Sequence, residues 1–221
     1  RDFRRSRGLG DVYKRQDFTG KVAAVTGTSG IGLDAGLHLA RLGAQVFLAG
    51  IDAELNRQAE TLAKDEGLSV SLHHVDVGEE DSVRKWASDV MAQTDCLHAL
   101  VNAAGIQTYG TAEDTTPAEW DRTMAVNLRS CYLTSHFMYP LLKAAGGASV
   151  VHVSSVQGHN NQHRVLAYAT TKGAVHALTR AMAMDCAADA IRVNSISPGS
   201  IRTPLLELSL IHISEPTRPP E

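Results

Sequence analysis

Tyr168 and Lys172 stand four residues apart in the alanine-rich run from Ala167 to Ala190. If that run is helical, the two side chains lie one above the other on the same face. A phenol with an ordinary pKa of about 10 is a poor base at neutral pH. An ammonium roughly 5 Å away, at an effective dielectric near 20, favours the phenolate by about 3 kcal/mol, or roughly two pKa units. The pair is therefore a candidate for proton exchange near pH 7. The same spacing occurs by chance on many helices, so its weight rests on its surroundings.

A second candidate lies near the start of the chain. Gly27-Thr-Ser-Gly30-Ile-Gly32 follows the short apolar run Lys21 to Thr26 and opens onto Leu33 to Leu42, which has helical periodicity. Strand, glycine turn and helix in that order let backbone N–H groups and a helix N-terminus face a pyrophosphate. Side chains in the turn would hold the phosphates away.

The elements that must position these residues alternate. Strands are expected over Lys21–Thr26, Gln45–Ala49, Val70–Val75, His98–Val101, Ala148–Val153 and Ile191–Ile196, and helices over Leu33–Leu42, Ala53–Glu66, Glu79–Gln93, Pro117–Lys143 and Ala167–Ala190. Such alternation implies an α/β fold, a parallel sheet covered on both faces. The clusters Gly50-Ile-Asp52, Asp76-Val77, Asn102-Ala-Ala-Gly105, Ser154-Ser155 and Ser197-Pro-Gly199 all fall where strands end, the edge at which such sheets bind ligands. The loop from Val156 to Leu166 carries Gln157, His159, Asn160, Asn161, Gln162, His163 and Arg164; it is either solvated or in contact with a polar substrate.

Composition narrows the classes. With 43% hydrophobic and 20% charged residues among 221, the chain suits one soluble domain with a good core. Cys96, Cys131 and Cys186 form no C-x-x-C pair, which argues against a disulfide framework or zinc site and fits a reducing, cytoplasmic setting. The histidines are scattered, so no metal is expected, and no apolar run is long enough for a membrane span. The two ends stand apart. Ser6 to Gln16 and Leu208 to Arg218 can be encoded by one DNA string read on opposite strands, and that string resembles a transposon adapter used in sequencing libraries. Residues 1–16 and 208–221 are accordingly expected to be adapter-derived extensions of a single domain over 17–207, with the coding sequence cut at Glu207. Residues 17–207 hold 14 basic and 20 acidic groups, net −6, which removes support for a nucleic-acid partner.

Together these residues resemble the short-chain dehydrogenase/reductase family. The resemblance covers 17–207 and is carried by Thr26-Gly27, Gly30-Ile-Gly32, Asp76-Val77, Asn102-Ala-Ala-Gly105, Asn127, Ser155, Tyr168-x-x-x-Lys172 and Asn194-Ser-Ile-Ser-Pro198-Gly199-Ser-Ile201-Arg-Thr203. It implies a three-layer Rossmann fold with a doubly wound parallel sheet of order 3-2-1-4-5-6, the family's seventh strand being missing. It also implies interconversion of a secondary alcohol and a ketone with NAD or NADP. Carried over residue by residue, Tyr168 is implied as general acid/base, and Lys172 as holding the nicotinamide ribose and lowering the tyrosine pKa. Ser155 is implied as the hydrogen bond to the substrate oxygen, and Asn127 as holding a water that relays protons from Lys172. Ser155 rather than Ser154 keeps the family's separation of thirteen residues from the tyrosine. The implied cofactor contacts are Gly27, Ser29, Gly30, Ile31, Gly32, Asp52, Asp76, Val77, Asn102, Ala103, Ala104, Gly105, Tyr168, Lys172, Pro198, Gly199, Ile201 and Thr203. A homo-oligomer through the two long helices is implied as well.

Two departures qualify these expectations. Only Thr28 and Ser29 separate Gly27 from Gly30, one residue fewer than in the family motif, which can shift the turn by up to about 3 Å. Gly50 stands where NAD-preferring relatives usually carry an acid, and neither Ser29 nor Ile51 is the cation often found in NADP-preferring ones. Asp52 nearby, without a cation for a 2′-phosphate, favours NAD. The polar loop suggests a small polar substrate such as a sugar or polyol. The alternatives are a 3-oxoacyl thioester reductase of fatty-acid synthesis and a nucleotide-binding protein without turnover. With the family's substrate-covering region absent, the chain is expected to bind substrate poorly.

Overall fold

The structure, a computed structural model, describes residues 17–203. The expected extensions over 1–16 and 208–221 and the expected junction at Glu207 lie outside the described residues.

β1 (Val22–Thr26) is buried along its whole length, as its uninterrupted apolar run requires of a strand covered on both faces. β2 (Gln45–Gly50), β3 (Val70–His74), β4 (Ala99–Asn102), β5 (Ala148–Val153) and β6 (Ile191–Ile196) join it in a six-stranded sheet of order β3-β2-β1-β4-β5-β6. Every pairing is parallel. This is the Rossmann order expected from the sequence. Val25 pairs with Leu48 of β2 on one side and Val101 of β4 on the other, so the strand order reverses across β1 and a crevice opens beyond its carboxyl end.

Helices α1 (Gly30–Arg41) and α2 (Ala53–Asp65) cover one face, where Ala40 and Ala59 pack with Val25, Val46 and Leu48. On the other face α3 (Glu80–Met91) presents Val83, Trp86, Ala87 and Val90, a single stripe at helical spacing, to Phe47 and Leu100. The helix expected without interruption from Pro117 to Lys143 is built in three parts. α4 (Pro117–Met124) begins with a capping box between Thr116 and Glu119 and with Pro117 in its first turn. A π turn follows over Ala125–Arg129, and α5 (Ser130–Ala144) continues the rod with Leu133, Met138 and Leu141 in the core.

Two other boundaries differ from expectation by three residues or more. α1 starts at Gly30 rather than Leu33, because the glycines form its first turn yet carry no side chains from which periodicity could be read. The last helix, α6, spans Leu166–Asp185 rather than reaching Ala190; a 3-10 turn at Ala187–Asp189 and a left-handed Ala190 (φ 57°) end it. Asp189 is held there by the Tyr139 hydroxyl at 2.7 Å and the Lys143 ammonium at 2.9 Å, both on α5. Among the described residues, no helix is long and apolar enough to cross a membrane.

Candidate active site

A cavity of about 360 Å³ occupies the crevice at the carboxyl edge of the sheet. Its wall at β1 is the glycine turn, in which Gly27 and Gly30 adopt left-handed φ of 101° and 52°. The missing residue does not open the turn. Gly27 N–H donates to the Ala49 carbonyl at 2.7 Å, and the Thr26 hydroxyl accepts from the N–H groups of Ala103 and Ala104 at 3.1 Å. Gly32 lies behind this wall: a β-carbon there would sit 2.4 Å from the Gly27 carbonyl oxygen, so its bareness lets helix and turn touch. Ser29 is the N-cap of α1 and makes no side-chain cap bond, leaving first-turn N–H groups available to an anion.

Asp52, Asp76, Val77, Ala103, Ala104 and Gly105 continue the wall on one side, and Pro198, Gly199, Ile201 and Thr203 on the other. Asp52 also caps α2, its Oδ1 accepting from Glu54 and Leu55 N–H at 2.9 Å. Asp76 is clamped by Arg122 of α4 at 3.0 Å and accepts from Gly78 N–H at 2.9 Å. Asn102 is buried below the cavity, where its amide meets Thr134 Oγ1 at 2.8 Å and His152 Nδ1 at 3.1 Å. These glycines and the uncapped helix end form a cradle that fits a dinucleotide.

At the other end of the cavity Tyr168 and Lys172 sit one turn apart on α6, the ammonium 5.4 Å from the ring centre. Ser155, at the end of β5, hydrogen-bonds the Tyr168 hydroxyl and accepts from Gln157 N–H at 3.1 Å. Ser154 points away, donating to the Lys172 carbonyl at 2.8 Å. Lys172 is 5% exposed and donates to the Val153 carbonyl at 2.9 Å. The electrostatics correct one expectation. Burial pushes the Tyr168 hydroxyl above its ordinary pKa, with Tyr109 adding to the rise, while only the Ser155 hydrogen bond pulls it down. Burial likewise drives Lys172 down, toward its neutral form. Loss of water around both groups, which residue spacing does not report, is the largest cause in each case.

Asn127 does not line the cavity. It is 1% exposed in the π turn, and its side chain forms a two-bond clip with Ile106, accepting from N–H and donating to the carbonyl at 2.8 Å each. Its amide also donates to Thr171 Oγ1 on α6 at 3.3 Å. The amide thus joins the loop after β4 to the helix that carries Tyr168. Gly105 fits between the two groups: a β-carbon there would be 3.3 Å from Asn127 Oδ1 and 3.7 Å from Lys172 Nζ. Of the polar loop, Gln157 and Gln162 line the cavity, Gln162 N–H donating to Gln157 Oε1 at 3.0 Å. Asn160, Asn161 and His163 are exposed. Arg122, Thr28 and the two glutamines also line the cavity, although none is a residue that marks a site motif in the sequence. The one available signal was that the glutamines lie in a loop of unusual polarity.

A Rossmann sheet with a glycine cradle at its switch point and a Ser–Tyr–Lys cluster across the cavity defines a nucleotide-dependent oxidoreductase, and the chain belongs to the short chain dehydrogenase family, whose sequence model matches residues 21–210. It is 38% identical over 188 residues to cyclopentanol dehydrogenase of a Comamonas species, a match covering 85% of this chain and 75% of that one. Gluconate 5-dehydrogenase of Gluconobacter oxydans is 32% identical, with 86% and 74% covered. A metagenomic short-chain oxidoreductase solved in complex with NADP superposes with a TM-score of 0.79 at 32% identity, covering 85% of this chain and 86% of that one.

Proposed function

We propose that this protein interconverts a small, polar secondary alcohol and its ketone, with NAD as the preferred nicotinamide dinucleotide. The observation that carries the reading is the convergence of Ser155, Tyr168 and Lys172 on one end of a cavity whose other end is the glycine cradle. The dinucleotide supplies the hydride acceptor or donor. Gly27 to Ile31, Asp76 and the Ala103–Gly105 segment would hold it, and Lys172 would hold its ribose.

The protein's own residues handle the proton. In the reducing direction Tyr168, a phenol in the free protein, gives its proton to the ketone oxygen; in the oxidising direction its phenolate takes the hydroxyl proton of the alcohol. Ser155 already hydrogen-bonds that oxygen and is placed to share the substrate oxygen, stabilising charge as it develops. The Asn127 side chain is engaged by Ile106 and Thr171, so its support of the site is to join the loop after β4 to the helix that carries Tyr168. Ile106, Val156 and Ile201 make one part of the wall apolar, while Gln157 and Gln162 offer amides to a hydroxyl or carboxylate on the substrate. The preference for NAD is supported by charge. Among the described residues the cations on the cavity wall are Lys172 and Arg122, and Arg122 is bound to Asp76, so those lining residues offer no unpaired cation to a phosphate near Asp52.

The test is formation of reduced nicotinamide from NAD⁺ or NADP⁺ with cyclopentanol and with gluconate, in the wild type and in Tyr168→Phe. Turnover should favour NAD⁺ and fall by about 10²–10⁴ in Tyr168→Phe with NADH binding retained. An undiminished rate in that variant overturns the catalytic assignment; NADH binding without turnover on any alcohol favours a binding protein.

A further inference from the structure

His176, one turn beyond Lys172 on α6, was not part of any site motif. Its ring nevertheless reaches three segments that shape the cavity. Nε2 lies 3.1 Å from Ser154 Oγ at the end of β5 and 3.4 Å from Ser197 Oγ past the end of β6, and Nδ1 lies 3.2 Å from Ser195 Oγ. The ring also stacks on His159 of the polar loop, with centres 4.3 Å apart and planes inclined by 27°. Gly158 makes this approach possible, since a β-carbon on it would lie 2.9 Å from both His176 Nε2 and the Lys172 carbonyl.

The hydrogen bonds fix the tautomer. The single proton of the Ser154 hydroxyl is donated to the Lys172 carbonyl, which can only accept. Toward His176, Ser154 Oγ is therefore an acceptor, so Nε2 carries the ring proton. Nδ1 is then the lone pair that accepts from the Ser195 hydroxyl. Ser154 adjoins the catalytic Ser155, Ser197 adjoins Pro198 and Gly199, and His159 sits between the cavity-lining Gln157 and Gln162.

We propose that His176 is a positioning residue, a neutral Nε2–H imidazole that fastens the ends of β5 and β6 and the 156–164 loop to the helix bearing Tyr168 and Lys172. The proposal rests on the catalytic reading of that cavity for its significance, but not for its test. The groups facing the ring are His159 from the loop, Arg180 and Lys172 from its own helix, and serines from β5 and β6. Burial foremost, then His159, Arg180 and Lys172, lower its pKa, against a main-chain hydrogen bond with Ser155 that raises it. With the folded value depressed below 6.5, the fastening is complete above that pH and weakens as the pH falls below it.

The experiment uses ¹⁵N NMR of the histidines and amide hydrogen exchange in the intact chain. At pH 7.5 His176 should show the neutral Nε2–H tautomer, and the hydrogen-bonded amides of segment 156–164 should be protected. His176→Phe, which can stack but not hydrogen-bond, should exchange about tenfold faster in segment 156–164, equivalent to about 1.4 kcal/mol, and bind NADH about tenfold more weakly. His176→Gln, with an amide donor and acceptor, should stay within about threefold of wild type. If the Phe variant does not fold, the wild type decides: protection of 156–164 should fall as the pH drops below 6.5. A neutral Nδ1–H tautomer, unchanged exchange in His176→Phe, or equal loosening by Gln and Phe overturns the proposal. None of these readouts requires turnover, so they stand apart from the fate of Tyr168→Phe.

Discussion

Thr28 fills the space beside the Cα of Gly50: a β-carbon built on Gly50 would lie 2.1 Å from the Thr28 hydroxyl oxygen and 2.8 Å from Asn56 Oδ1. The position at which NAD-preferring relatives usually carry an acid is thus closed by side chains from the shortened glycine turn and from α2. Asn56 is itself fixed, its amide donating to the Gly50 carbonyl at 2.9 Å. Gly50→Asp should destabilise the protein by about 1–3 kcal/mol and weaken NAD⁺ binding instead of improving it. Adding Thr28→Ala should restore much of the loss. Thermal unfolding and cofactor titration of the single and double variants check both statements, and a stable, tighter-binding Gly50→Asp refutes them.

Tyr168 should ionise above pH 10 in the free protein, since burial raises its pKa and the Ser155 hydrogen bond opposes the rise only in part. The difference between ultraviolet titrations of wild type and Tyr168→Phe isolates this phenol. Ser155→Ala should move its midpoint further up, because the one lowering contact is gone. A midpoint near pH 8 would restore the expectation drawn from the Tyr–Lys spacing.

His152 is fully buried on β5, and burial alone depresses its pKa from 6.5 to about 4. A folded value below the unfolded one means that its contribution to stability is fully present above pH 6.5 and is lost as the pH falls through 4. The loss amounts to about 3 kcal/mol across that window. Denaturant midpoints measured between pH 7 and 4 should show this slope, and His152→Gln, which can still meet Asn102, should flatten it.

Asn127→Ala removes the two-bond clip on Ile106 and the bond to Thr171. Leaving those partners unsatisfied should cost about 2–4 kcal/mol. The specific signature is rapid exchange of the Ile106 amide. Asn127→Asp, which keeps the acceptor and loses the donor, should protect that amide while remaining destabilised. Equal exchange in the two variants would assign the effect to packing alone.

The sheet was legible because buried parallel strands leave short apolar runs, and each of the six ended in a glycine or polar cluster that marked the ligand edge. Tyr168 and Lys172 were legible as a pair by spacing and Ser155 through the family resemblance; all three line the cavity. What sequence hid depends on through-space neighbours. The Arg122–Asp76 clamp joins residues 46 apart, and the His176 network spans three elements. The raised Tyr168 pKa was hidden for a different reason, since spacing reports which charge is near but not how much water has been removed. The role of Asn127 in the π turn is not legible from its own helical run, because its clip is to Ile106, 21 residues away in the loop after β4.

The π turn at Ala125–Arg129 sets a phase as well as a contact. One residue more than an α-turn shifts everything downstream by about 100° around the rod's axis. α5 therefore directs Leu133, Met138 and Leu141 into the core only because the extra residue precedes them. Excising a single residue there would straighten the hydrogen bonding and, in the same stroke, turn that apolar stripe out of register with the sheet. The helix is locked to its present length between Pro117 and the core, so this family member should tolerate substitution in the turn far better than deletion.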